Sequence, residues 1–272
     1  MNFNVRETPG NTDWFVHDRF GMFIHWGLYS LPARHEWVMN HERITNEDYK
    51  KYFDHFDPDL YDPKEWAAYA KKAGMKYAVL TTKHHEGFCL FDSEYTDFKA
   101  TNTKAGRDLV KEYVDAFRAE GIKIGFYYSL LDWHHPDFTI DYHHPRRDDT
   151  KEEIERFNKG RDMKRYAQYI RDQVTELLTN YGKIDLLWFD FSYVKGKDDW
   201  ESEKLIKLIR SIQPEIIINN RLGIDQDIWT PEQYQPEEWI TDDKGLGGLP
   251  DLLRLMGLPP RRKNMEKPRT AH

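Results

Sequence analysis

Five short apolar runs, separated by stretches with helical periodicity, constrain this chain more than any other feature. The runs are GMFIHWG (21–27), YAVLTT (77–82), KIGFYYS (123–129), DLLWFD (185–190) and EIIINN (215–220). The amphipathic segments among them are DPKEWAAYAKKAG (62–74), DLVKEYVDAFRAEG (108–121), KRYAQYIRDQVTELLTNYG (164–182) and SEKLIKLIRSIQ (202–213). Several carry apolar residues at i, i+3, i+4 and i+7, and Gly74, Gly121 and Gly182 stand where helix C-caps belong. Strands apolar along their whole length, alternating with helices, predict a parallel sheet covered by helices. Long polar loops follow the strands rather than the helices, and no G-x-G-x-x-G follows the first run. A (β/α)8 TIM-barrel-like α/β fold fits this better than an open dinucleotide-binding sheet. Such a barrel takes about 250 residues. Here large loops consume that length after five strands, so an incomplete barrel is expected.

Composition narrows the class. The chain has 272 residues, 39% of them hydrophobic, enough for one large core. A net charge of −7 argues against a nucleic-acid or anionic-membrane surface, which requires a basic field. No apolar run approaches the roughly 20 residues that span a bilayer. The N-terminus lacks a charged-then-apolar signal pattern, so a cytoplasmic protein is expected. A single cysteine, Cys89, excludes an internal disulfide framework and a thiolate zinc cluster.

In a barrel the chemistry sits at the C-terminal ends of the strands. Those ends carry His25-Trp26, Lys83-His84-His85, Tyr127-Tyr128, Trp188 with Asp190, and Asn219-Asn220-Arg221, while the first long loop adds His35-Glu36-Trp37. Aromatic faces beside donors and acceptors suit a sugar ring, which has C–H faces and hydroxyl edges. Each residue also has a structural reading. Asp190 ends an apolar run and could cap the next loop or meet a core arginine. His25 could be a hydrogen-bonded core residue. Of His84 and His85, neighbours on a strand, only one can point into the core. The histidines of HHPDF (134–138) and of the Tyr142–Arg147 segment read as solvated loop residues. Neither H-E-x-x-H nor a two-histidine-one-carboxylate spacing occurs, so no metal or other cofactor is expected.

The stretches RFGMFIHWGLYSLPARHEW, YAVLTTKHHEGFCLFDSEYTDF, GFYYSLLDW and LLWFD resemble the catalytic barrel of the glycoside hydrolase family 29 α-L-fucosidases, in order, from about Trp14 to Trp239. The resemblance implies a retaining exo-glycosidase that removes terminal α-L-fucose from a fucosylated glycan. It implies Asp190, in the W-x-D motif, as the nucleophile, with Trp188 packing by it. His25, Glu36, Trp37, His84, His85 and Tyr127 match positions that hold the sugar, and Arg221 matches an arginine near the catalytic carboxylates. A nucleophilic carboxylate must be ionised at neutral pH, and neighbouring donors serve that end. The alternative is an inactive remnant that at most binds fucose.

For the acid/base, the resemblance points to Glu232 in WTPEQY or to a glutamate in a later W-E motif that the chain lacks. From Thr241 the sequence turns basic and proline-rich, and strand–helix alternation stops. Residues 1–240 are therefore read as a partial catalytic barrel and 241–272 as an out-of-frame tail. Met256-Gly257 and Met265-Glu266 both become tryptophan when the reading shifts by one base, and permitted codons then spell a W-E and an S-W-G-Y segment in family register. Instability or aggregation of an unclosed barrel is expected. The gene sequence across codons 238 to 272 tests the frameshift.

Overall fold

A computed structural model describes residues 7–191 and 194–230. Five strands, β1 (Gly21–Ile24), β2 (Tyr77–Lys83), β3 (Lys123–Ser129), β4 (Leu186–Asp190) and β5 (Ile217–Ile218), form one sheet in chain order. Every pairing is parallel. The helices are α1 (Asp13–Asp18), α2 (Val38–His41), α3 (Asn46–Asp54), α4 (Pro63–Lys72), α5 (Leu109–Ala119), α6 (Lys151–Asn158), α7 (Met163–Thr179) and α8 (Ser202–Ile212). Sequential order with parallel pairing is the winding of a barrel wall, and these strands are part of one. The boundary at residue 240 and the tail 241–272 lie outside the described residues.

The alternation of side chains along each strand builds two separate cores. On the outer face Ala78, Leu80, Ile124, Phe126, Leu187, Phe189 and Ile218 pack with Val110, Tyr113, Phe117, Tyr166, Ile170, Val174 and Ile209 from the helices. Burying each large side chain contributes roughly 1.5–3 kcal/mol, so this face anchors the helices to the sheet. On the concave face Val79, Tyr127, Leu186 and Ile217 make a smaller cluster with Trp14, Phe15, Tyr77 and Trp188. Gly125 leaves room for its neighbours on this face: a Cβ there would lie 2.8 Å from Val79 and 3.3 Å from Leu186. α1 covers the N-terminal end of this face, with Phe15 and Trp14 at 5.3 and 5.7 Å from the Tyr77 ring.

Helix starts are fixed by side chains that satisfy otherwise orphaned N–H groups. Asp62, Asp108 and Asp162 accept from the first turns of α4, α5 and α7. Thr150 and Glu153 form a reciprocal capping box at α6. Gly74, Gly121 and Gly182 follow their helices with φ of 86°, 70° and 72°, as their positions in the sequence predict. β1 and β5 are shorter than their apolar runs: β1 ends at Ile24, and β5 consists of Ile217 and Ile218. α1, α2, α3 and α6 were not expected. α1 and α6 bury none of their residues and α2 is a single turn, whereas α3 carries Tyr49, Tyr52 and Phe53 at i, i+3 and i+4 against the core, a stripe the sequence reading passed over.

Candidate active site

The rim of the sheet brings one carboxylate together with three of its predicted partners. Asp190 ends β4 opposite Ser129 of β3, and two residues earlier Trp188 lies opposite Tyr127. The Tyr127 hydroxyl donates to Asp190 Oδ2 across 2.7 Å. His85 Nε2 lies 3.9 Å from the same oxygen, and Arg221 Nη1 lies 3.6 Å from Oδ1. Asp190 keeps 22% of its side chain exposed, so it is held by Tyr127 and Arg221 yet open to a ligand. Burial, and then the charge of Asp190, push the Tyr127 phenol well above its ordinary value, so it stays protonated and donates.

Arg221 is placed by the turn after β5. Its Nε donates to Thr230 Oγ1 at 2.8 Å, and that hydroxyl in turn donates to Asn220 Oδ1 at 3.0 Å. Asn219 ties this turn to β4: its amide donates to the Phe189 carbonyl at 2.8 Å and accepts from the Phe189 N–H at 2.9 Å. A side-chain amide thus extends the strand pairing where β5 has ended.

His84 and His85 are both buried, with ring centroids 4.0 Å apart. The expectation that only one could face inward fails because the β2–β3 register shifts between Thr81 and Lys83, and β2 then ends. Lys83 turns the other way and is fully buried on the helix side, 3.2 Å from Asp132 Oδ2 and over the rings of Tyr128, Tyr166 and Tyr169. His85 Nδ1 meets Ser129 Oγ at 2.6 Å, and that hydroxyl donates to the Leu131 carbonyl at 2.8 Å. Its hydrogen being used there, Ser129 Oγ accepts from Nδ1–H. Burial, then the neighbouring imidazoles, hold the His85 pKa well below the ordinary value. The ring is neutral, and Nε2 is an acceptor.

The remaining predicted residues line the rim. His25 is exposed, so the core reading does not hold for it, and its ring lies edge-on to His84 at 4.8 Å and to Tyr127 at 5.8 Å. Glu36 is half-buried in the loop before α2, with His35 at 3.6 Å. Trp37 packs edge-on to His85 at 4.8 Å and against Phe191 at 5.4 Å. Trp188 packs into the concave cluster and edge-on to Phe23 at 5.4 Å, below Asp190. A cavity of about 300 Å³ opens there, lined by Phe15, Phe23, Tyr77, Leu186 and Trp188, and does not reach the carboxylate. Glu232 lies outside the described residues.

Sequence reasoning missed several contributors. Ser129 shares the face of Tyr127 at i+2, so strand alternation could have found it. Phe191 directly follows Asp190 with φ of 75°, a left-handed backbone unusual outside glycine, and its ring reaches His85 and His143. The histidines read as solvated loops are mostly not so. His144 is buried, His135 packs on Tyr169 at 4.3 Å, and His143 meets Phe191 at 4.4 Å. The loop after β3 folds back over the site, burying His144 and half-burying His135 and His143, a tertiary contact with no local signal.

The family described as Alpha-L-fucosidase matches residues 4–245. The chain is 31% identical to the human tissue alpha-L-fucosidase over 230 residues, covering 77% of this chain and 46% of the relative. Among solved structures, alpha-L-fucosidase isoenzyme 1 from Paenibacillus thiaminolyticus is 56% identical with a TM-score of 0.81, over 86% of this chain and 58% of that one. A GH29 alpha-L-fucosidase from Bacteroides thetaiotaomicron, solved as a trapped covalent intermediate with 2-fluoro-fucosyl fluoride, is 30% identical with a TM-score of 0.70, over 84% of this chain and 57% of that one. The chain spans about half the length of the curated relatives it matches. A five-stranded parallel barrel wall, the four motifs and a family match over most of the sequence lead to one conclusion: the chain belongs to the α-L-fucosidases of glycoside hydrolase family 29.

Proposed function

We propose that this chain carries the site of a retaining exo-α-L-fucosidase acting on terminal α-L-fucose of a fucosylated glycan. The observation that supports it most is the Asp190 carboxylate, bonded by Tyr127 at 2.7 Å, faced by Arg221 at 3.6 Å, and still partly exposed at the C-terminal end of a barrel strand. In this reading an Asp190 oxygen attacks the anomeric carbon while the bond to the leaving oxygen breaks. The leaving oxygen takes a proton from the acid, and a glycosyl ester forms on Asp190. Water then cleaves the ester, and fucose departs with its configuration retained. Tyr127 and Arg221 keep the carboxylate ionised and oriented. His25, Glu36, Trp37, His84 and His85 hold hydroxyls and ring faces of the sugar, and Trp188 supports the floor.

Glu232 is the acid/base candidate of this proposal. Losing a general acid costs about 10²- to 10⁴-fold in rate, least for leaving groups that need no proton. An activated aryl fucoside is therefore the substrate of choice, and 2-fluoro-fucosyl fluoride the trap. Turnover at least about a thousandfold slower in Asp190→Asn, with the trapped label on the peptide containing Asp190, is the expected result. Equal rates in parent and variant, or a label on another side chain, would remove Asp190 from the mechanism. Fucose binding by titration calorimetry without turnover would assign the chain to the binding remnant instead.

A further inference from the structure

Behind the sugar-facing histidines lies a buried carboxyl with no assigned role. Glu86 is 2% exposed, and its Oε2 stands 3.4 Å from Nδ1 of His84, itself 3% exposed. Both atoms are shielded from solvent and have no hydrogen-bond partner among the described residues. Two orphaned polar atoms at one buried point are costly unless they satisfy each other. We infer that Glu86 is a positioning residue that donates its carboxyl proton to His84 Nδ1 and so fixes His84 as the Nε2–H tautomer, opposite to His85.

The proton count favours this arrangement. Burial is the first cause pushing Glu86 up to about 8 and His84 down to about 4, so at pH 7 the carboxyl is protonated and the imidazole neutral. Asp132 pushes Glu86 up as well, while His25 and Lys83 pull it down. The opposite assignment, with Nδ1–H donating to Oε2, needs either an ionised carboxylate in a closed site or a carboxyl proton with no acceptor at this point. With Glu86 as donor, His84 Nε2 carries hydrogen. His85 Nε2 carries a lone pair, because its Nδ1–H is committed to Ser129. The two neighbouring rings then offer one donor and one acceptor, so one sugar hydroxyl accepts from His84 while another donates to His85. This last clause rests on the fucosidase reading; the tautomers do not.

Long-range ¹H–¹⁵N NMR on ¹⁵N-histidine protein at pH 7 reads the tautomers directly, with His84 assigned by its loss in His84→Asn. The expected spectrum has a protonated Nε2 and bare Nδ1 in His84, and the reverse in His85. A His84 ring protonated at Nδ1 would overturn the inference, and that measurement needs no Glu86 variant to fold. Glu86→Gln keeps a donor to Nδ1 and should preserve both the tautomer and fucose affinity. Glu86→Met removes it and should release the tautomer and weaken fucose binding about tenfold. Equal effects of the two substitutions on the spectrum would also overturn it. If the parent chain binds no fucose, the fucosidase reading fails while the spectrum still decides the pair.

Discussion

The Tyr127 hydroxyl and Asp190 Oδ2, 2.7 Å apart, join neighbouring strands one layer below the rim and hold the carboxylate at a defined angle. The tyrosine is buried and the aspartate is not, so the bond reaches from the core to the ligand side. A hydrogen bond to a charged group contributes roughly 1.5–3 kcal/mol. Tyr127→Phe keeps the ring and loses only this donor. It should lower kcat/KM on an aryl fucoside about 10- to 100-fold and lower the unfolding free energy by up to that bond's contribution, as steady-state kinetics beside denaturant titration would show.

Lys83 and Asp132 form a clamp behind the histidines. Lys83 Nζ is 3.2 Å from Asp132 Oδ2, while Asp132 Oδ1 accepts from the N–H groups of His134 and His135 at 3.1 and 2.8 Å. Both side chains are buried, and removing one partner of such a pair costs about 3–5 kcal/mol because the other charge is left uncompensated. Lys83→Met should destabilise by that amount in urea unfolding. The double variant Lys83→Met/Asp132→Asn should recover part of it, since asparagine carries no charge and still offers an acceptor to the two N–H groups.

Gly87 closes the same loop. Its φ is 86°, and a Cβ there would lie 2.2 Å from Asp132 Oδ1. Left-handed backbone alone costs a non-glycine residue about 1–2 kcal/mol, and the overlap adds displacement of a buried carboxylate. Gly87→Ala should therefore destabilise by more than about 2 kcal/mol and weaken fucose binding, whereas Gly106→Ala, with positive φ but open space, should cost only the backbone share. Paired unfolding curves distinguish the two.

Buried histidines set the acid limit of stability. Burial lowers His84 to about 4 and His144 to about 3, and lowers His85 well below its ordinary value. A depressed imidazole pKa means the unfolded chain binds the extra proton, so stability falls as pH drops below about 6.5. Glu86, raised to about 8, acts with the opposite sign, because the folded chain keeps a proton the unfolded chain has released. Between pH 5 and 6 three imidazoles outweigh one carboxyl, and these four groups predict a loss of roughly 2 kcal/mol per pH unit of acidification. Above about pH 7 the Glu86 contribution outweighs the fading imidazole one, and stability should decline gently toward pH 8. Unfolding free energies measured from pH 5 to 8 should peak near 7.

The sequence by itself determined the strands, their parallel order and which residues stand at the rim, because strand ends and helix caps are local signals. Period-two patterning in β3 and β4 sets the facing of Trp188 with Asp190 and of Tyr127 with Ser129, the latter passed over in the sequence reading. Tertiary structure decided what local pattern could not. The register shift at Thr81/Lys83 sends both histidines to the site and Lys83 to the helix side. Folding of the loop after β3 buries His144 and brings His143 to Phe191. The pairing of Glu86 with His84 depends on which atoms are excluded from water, and burial at a point is set by distant chain segments meeting there, not by the residues on either side.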